Sequence, residues 1–544
     1  MFSLYFGVYL AALDGTVVST LLSHIASDLE ALSSISWVAT SYLVSYSAFQ
    51  PLYGKISDIF GRKSVLIFCN IVFAVGCAIC GVSHSLGPLV LGRFISGIGA
   101  GGLLSLSTIA VSDYVPLRRR GIYQGINNIA YGIGSATGGI FGSLATEVGG
   151  WRLAFTAQVP LCLVGVFAIW KFLAEKPVPN SALIETDLNV LDEEMSIRSV
   201  DMRRSVSRSR RPSAPIRRNS LERIDFVGCF TLVISLITFM LGISTGGKDY
   251  NWNSPNTIGI FTASVLSLAL FVYWELYKAK EPILPIRILM HRTIISACIT
   301  NFFVVGINYA FLFYSPVYLT AAYNFSYSLV AKRLMANFCG VALGSLSAGF
   351  YMAKTGKYYY FGIFSVILMA IGAAMFAYMP WLSDPVASSA IYTSIAYLVF
   401  GTGYTSTLTV CLTALIAAVP SKFQAMTTSA QYTFRGLGSS IGTAIAASIF
   451  SGTLDIQLSA NVRGPDAAAV IEWVRENIEA IRKIPEEYIP SVVWSYKMAG
   501  AYTFIFCVSM LILAIGAAAF QQQHKIGEDD EVEEEEFTDL ATSH

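Results

Sequence analysis

The sequence predicts an all-α polytopic membrane protein with about fourteen transmembrane helices, on three observations. Of the 544 residues 54% are hydrophobic and only 13% charged, with a mean hydropathy of +0.58. Soluble domains carry about 25% charged residues, so this chain cannot cover a soluble surface of its size. Apolar segments of some twenty residues recur along the chain, each able to cross ~30 Å of hydrocarbon. The short apolar runs between polar helices that mark a buried α/β core are missing. Lipid forces each backbone polar group to pair within its own segment, so repeated spans of this kind are helices.

Taken in order, the spans fall at about 3–23, 35–54, 64–82, 88–112, 122–142, 151–173 and 224–244, then 257–277, 294–319, 329–352, 359–379, 388–418, 425–451 and 495–520. The first begins almost at Met1, too long for a signal h-region and without a basic n-region. No cleaved signal peptide is therefore expected, and a cytosolic lead ahead of Met1 is. Lys and Arg set the orientation. Lys55, Arg62 and Lys63 follow the second span, Arg118, Arg119 and Arg120 the fourth, and Lys278, Lys280, Arg287 and Arg292 the eighth. The connections after the first, third and ninth have none. Alternate loops are thus cytosolic, as are both termini.

The expected units are a six-helix half at 1–173, a linker at 174–223, two extra helices at 224–293, a second half at 294–520 and an acidic cytosolic tail at 521–544. The Arg/Ser-rich linker reads as disordered. Inside it, Ser213 and Ser220 follow Arg-Arg-x and fit basophilic kinases. The non-cytosolic loop at 452–494 carries Ile471, Val474, Ile478 and Ile481 at helical spacing, which predicts an amphipathic helix on the membrane surface.

The chain also echoes itself. Gly54 and Gly61 after the second span match Gly349 and Gly356 after the tenth. Gly132, Gly134, Ser135 and Gly138 match Gly436, Gly438, Ser439 and Gly442 at identical offsets. Two related halves, separated by the seventh and eighth spans, explain both echoes.

Net charge is +1, which leaves no global field for nucleic acid. All nine cysteines lie in apolar stretches. Cys77 and Cys80 form a CxxC, but no second pair stands at zinc-site spacing, so buried thiols are expected and no metal. Gly97, Gly99 and Gly102 match the dinucleotide fingerprint GxGxxG. That motif needs a preceding strand; inside a membrane helix small residues serve close packing instead, and no enzyme is expected. Asn324-Phe325-Ser326 is a glycosylation sequon on a loop too short to favour modification.

Asp14 is a carboxylate near the middle of a span, and Arg93 and Arg435 are charges carried within the fourth and thirteenth. Such groups are costly in lipid and point to function. Apolar surroundings disfavour a bare carboxylate charge, which suits Asp14 to taking up and releasing protons, to facing a cationic solute, or to bonding a neighbouring helix. Either arginine can pair with Asp14, bind a substrate carboxylate, or drive a proton from a nearby acid. Gln124, Asn127, Asn128, Asn308 and Tyr309 can line a central cavity or serve as interhelical hydrogen-bond glue.

GKISDIFGRKSVL between the second and third spans resembles the signature loop of the major facilitator superfamily. LGRFISGIGAGG resembles its second motif, and LAALDGTVVSTLLSHIASDL the first-helix signature of its 14-span drug:proton antiporter branch. WRLAFTAQVP is similar to fungal vacuolar basic amino acid transporters rather than to drug pumps, which read WRWxFxINLP. Gly134-Ser135-Ala136-Thr137-Gly138-Gly139 resembles the antiporter motif GxxxGPxxGG, with Ser135 in place of the proline. Close packing is kept there and the proline kink is not.

In the signature loop Gly54 and Gly61 permit a tight turn. Asp58 can sit at a helix N-terminus and pair with an arginine. Arg62 and Lys63 hold acidic groups or lipid phosphates, so the loop reads as a conformational latch, against a simple positive-inside anchor. Arg93 lies in the second motif, which assigns it to coupling.

The resemblance implies two six-helix halves plus two central helices, and proton-coupled export of a small, cationic solute from the cytosol. Basic amino acids moved into the vacuole are the favoured cargo; multidrug efflux at the plasma membrane is the alternative, and a non-transporting sensor the reading of another class. The driving force is the proton gradient with no cofactor, and a monomer in the bilayer is expected.

Overall fold

The computed structural model describes residues 1–524 apart from 30–35, 116, 174–223, 247–252, 280–281, 285, 384–385, 387–388, 420–422, 465–466 and 477–483. The linker with Ser213 and Ser220, and the acidic tail beyond His524, lie outside the described residues.

Among the described residues, fourteen long helices follow the order read from the sequence. In the first half they are α1 (Phe2–Asp28), α2 (Ser36–Phe60), α3 (Arg62–Gly81), α4 (Leu86–Tyr114), α5 (Leu117–Gly149) and α6 (Trp151–Phe172). The central pair is α7 (Phe226–Thr245) and α8 (Pro255–Tyr277). The second half has α9 (Arg292–Tyr323), α10 (Tyr327–Thr355), α11 (Tyr359–Tyr378), α12 (Ala390–Ala417), α13 (Gln424–Asn461) and α14 (Ile489–Ala519). No strand occurs among the described residues. Eleven of these helices are long and apolar enough to cross a membrane. The other three, α1, α2 and α5, have 27, 25 and 33 residues. Their polar residues, such as Asp14, Ser45, Gln50, Gln124 and Asn127, are buried inside the protein rather than set in lipid.

The two halves repeat one packing scheme. α1 lies on α5, α2 and α3 on α4, and α3 on α6; in parallel, α9 lies on α13, α10 and α11 on α12, and α11 on α14. The halves meet along two seams, α2 with α13 and α5 with α10. The central pair packs on itself, and α7 rests against both α2 and α13, beside one seam.

The echo of Gly134 and Gly138 in Gly438 and Gly442 is a close approach in each half. A Cβ on Gly134 would stand 2.5 Å from the carbonyl oxygen of Tyr9, and one on Gly138 would stand 2.6 Å from that of Leu13, so α5 touches α1 backbone to backbone. In the second half a Cβ on Gly442 would meet Gly306 at 2.7 Å, setting α13 against α9 in the same way. Gly139 is half-buried on the same helix. α5 runs unbroken through Ser135, as expected without the proline.

Several helices run past the boundaries read from the sequence, α2 and α13 among them. α2 continues through the signature motif to Phe60, leaving Gly61 (φ 87°) as the turn before α3. Its echo Gly356 (φ 66°) caps α10. α13 runs to Asn461, ten residues beyond the expected end at 451, because Leu454 and Leu458 stay buried against the second-half core.

The amphipathic helix exists as Ala467–Glu476, and its apolar stripe is turned to protein rather than to lipid. Its Val470 and Val474 enter the second-half core beside Tyr488 and Val492, and Tyr496 Oη donates to the Val474 carbonyl at 2.9 Å. A protein core offers this apolar stripe closer packing than lipid would. Ile478 and Ile481 lie outside the described residues. At the sequon, Asn324 adopts a left-handed conformation (φ 55°) that closes α9.

Candidate functional site

The three intramembrane charges separate into two places. Asp14 on α1 and Arg93 on α4 form an ion pair at 2.6 Å, with side-chain exposures of 0% and 1%. Arg93 also donates to the Val38 carbonyl of α2 at 3.4 Å and lies over the Tyr42 ring at 4.1 Å. One Asp14 oxygen, Oδ1, is buried without a hydrogen-bond partner. The pair therefore ties three helices of the first half together, and neither residue lines the central cavity between the halves.

Arg435 occupies the second place, in a cavity of about 70 Å³ between the halves. The lining includes Tyr46, Gln50, Asn128, Tyr131, Tyr309, Tyr404, Tyr432 and Ser439 with Arg435. Arg435 Nε donates to Asn301 Oδ1 at 2.9 Å, and the guanidinium lies 4.6 Å from the Tyr432 ring centre. No Asp or Glu is among the described lining residues. This volume holds a few waters, so a solute enters only when the halves part.

Of the polar residues read from the sequence, Asn128 and Tyr309 line this cavity, whereas Gln124, Asn127 and Asn308 do not. Asn308 is buried with its Oδ1 unpartnered. Asn127 donates to Thr108 Oγ1 at 3.4 Å, and Thr108 shares a 2.7 Å hydrogen bond with Tyr432 across the halves. Gln124 Nε2 reaches Asn128 Oδ1 at 3.3 Å, and Asn128 Nδ2 donates across to Ser345 Oγ at 2.9 Å. Cavity and glue are thus joined at Asn128. Sequence reading missed Tyr46, Tyr131, Tyr404 and Tyr432; the signal was tyrosine recurring in mid-span, where only a partner or a cavity satisfies its hydroxyl.

Hydrogen bonds joining the halves gather at the middle and at the end that carries the basic loops. Tyr131 and Tyr309 meet at 3.4 Å near mid-membrane, and Arg120 Nη1 donates to Gln424 Oε1 at 2.9 Å at the basic end. Both seams close tightly there. A Cβ on Gly54 would meet the Ala425 carbonyl oxygen at 2.7 Å, and one on Gly349 would meet Gly121 at 2.8 Å. This is the end that the loop charges read from the sequence predict to face the cytosol.

The signature motif sits beside this closure. Arg62 bridges Asp58 at 2.6 Å and Asp113, at the end of α4, at 2.8 Å; it also contacts Ser57 Oγ. Asp58 thus pairs with an arginine, though from the last turn of α2 and not from that helix's N-terminus, and Arg62 holds two acidic groups. Asp113 went unread in the sequence, where its only mark is an acid at the end of an apolar run. Lys63 is half-buried at the same end and makes no ion pair among the described residues. At the opposite end, Arg152 of the WR pair donates to Asp28 and to the Ser83 carbonyl, each at 2.8 Å, and joins α1, α3 and α6.

Comparison with known proteins supports this architecture. The family model described as Major Facilitator Superfamily matches residues 4–443. The chain is 33% identical to Multidrug resistance protein fnx1 of Schizosaccharomyces pombe, over 92% of this chain and 88% of that one. It is 32% identical to Vacuolar membrane amino acid uptake transporter fnx2 of the same yeast, over 95% and 83%. It is 30% identical to Vacuolar basic amino acid transporter 1 of Saccharomyces cerevisiae, over 84% and 78%. Two pseudo-equivalent halves around a central cavity, under a family match over most of the chain, identify this integral membrane protein as a transporter rather than an enzyme, and the chain belongs to the Major Facilitator Superfamily.

Proposed function

We propose that this protein is a proton-coupled secondary transporter that moves basic amino acids from the cytosol into the vacuole by alternating access. The observation that carries the reading is the division of labour between a buried Asp14–Arg93 pair outside the cavity and a polar, tyrosine-lined cavity between the halves. In this reading protons act at Asp14. Protonation removes the charge that holds Arg93, loosens the tie between α1, α2 and α4, and shifts the balance between conformations. Solute binds at the cavity, and the halves rock about it. The names of the vacuolar relatives support the cargo and the membrane.

The second reading, multidrug efflux at the plasma membrane, draws on the name of an equally similar relative. Fluorescence localisation together with radiolabelled lysine uptake into isolated vacuoles separates them. The proposal expects a vacuolar rim and uptake that collapses when the pH gradient is dissipated. A plasma-membrane signal with no gradient-dependent uptake overturns it.

A further inference from the structure

Resting on the amino acid reading above, we infer that Arg435 is the carboxylate anchor of the central cavity, with the tyrosines around it seating the ammonium groups, so that the transporter requires a free carboxylate on its solute.

Four observations converge. Arg435 is the charged residue of the lining, and no acid among the described lining residues balances it. Asp14, the carboxylate buried within α1, is already engaged by Arg93. The Arg435 guanidinium is held from behind: Nε is committed to Asn301 Oδ1, whose amide donates in turn to the Ala297 carbonyl at 2.8 Å, and Tyr432 covers one face. Its terminal nitrogens carry no hydrogen bond to a described residue and are open to the cavity. Beside it, Gln50 Nε2 is buried without a partner, a second donor awaiting an acceptor.

A fixed, largely desolvated cation with no counter-charge is costly until an anion arrives. A guanidinium oriented in this way presents the forked donors that a carboxylate accepts in pairs. The same lining supplies five tyrosine rings, Tyr46, Tyr131, Tyr309, Tyr404 and Tyr432. Aromatic faces are the surfaces on which ammonium groups are recognised without a counter-charge. A zwitterionic amino acid with a cationic side chain satisfies both halves of this arrangement. A lipophilic cation without a carboxylate can use the rings but leaves the like charge of Arg435 unanswered.

The test uses the purified full-length protein in liposomes, with labelled lysine as the transported probe. Competitors are unlabelled lysine, lysine methyl ester, in which the carboxylate is masked, and cadaverine, in which it is absent. The inference expects the ester and the diamine to compete at least about tenfold more weakly than lysine in the parent protein. Arg435→Gln should raise the lysine KM by at least about tenfold with a smaller change in kcat, and should draw the three inhibition constants together. Arg435→Lys should restore part of the preference. If the parent takes up lysine and the ester competes as well as lysine, the inference falls while the amino acid reading stands. A folded Arg435→Gln protein that keeps the full preference for lysine also overturns it. If the parent moves no amino acid at all, both fall together.

Discussion

Asp14 and Arg93 are 79 positions apart in sequence and 2.6 Å apart in space. Sequence alone marks both, because a charge within an apolar run has to be explained, and it leaves open which arginine answers the carboxylate. Packing decides that. Arg93 reaches Asp14 because glycines flank it on α4: a Cβ on Gly92 would meet the Cys80 backbone at 2.9 Å, and one on Gly97 would meet the Tyr42 carbonyl at 2.5 Å. The cavity was less legible. Five tyrosines converge there from α2, α5, α9, α12 and α13, and a tyrosine within one span looks the same whether it faces lipid, a neighbour or a cavity. Removing one partner of a buried ion pair typically costs about 3–5 kcal/mol. Asn retains an acceptor for Arg93 while losing the site for a proton, so Asp14→Asn should leave expression and gradient-free exchange intact and abolish uptake driven by a pH gradient. Both are measured in reconstituted vesicles, and retained gradient-driven uptake in the mutant would sink the assignment.

At the scale of helices, the sequence located all fourteen long elements and the two internal echoes, since hydrophobic length and glycine spacing are local properties. It missed what depends on distant partners: the extension of α13, and the destination of the Ala467–Glu476 helix in a protein core. The signature motif shows the same limit. Its spacing identified Asp58 and Arg62, but Asp113 joins them only when α4 returns to the same end. Arg62 and its two carboxylates lie within the first half, one helical turn or so from Gly54, where α2 presses on α13. This places them beside the closure and away from the cavity. Asp58→Ala and Arg62→Ala should therefore slow turnover several-fold while changing the substrate dissociation constant little, since they bias conformations rather than touch solute. Exchange rates read against equilibrium binding check this. A large loss of affinity with an unchanged exchange rate would argue that the motif contacts solute.

The whole molecule is closed at the end that carries the basic loops. Hydrogen bonds of the kind that join the halves there are worth only about 0.5–1.5 kcal/mol each. A closure built from a few of them is firm enough to define a state and weak enough to be undone by solute or proton binding. Such a gate has to open in every cycle if solute is to reach the cavity from the cytosol. Arg120 and Gln424 offer the direct test, because their side chains meet across the gate at 2.9 Å and neither lines the cavity. Arg120→Cys with Gln424→Cys, made after the exposed native Cys339 is replaced by Ser, presents two thiols on opposite halves. Joining them with a short, reducible bifunctional thiol reagent should stop lysine uptake in vesicles. Reduction should restore it, and each single cysteine should be insensitive to the same treatment. Uptake at the parent rate by the fully linked protein would mean that the halves need not part at this end, and alternating access through the gate would be wrong.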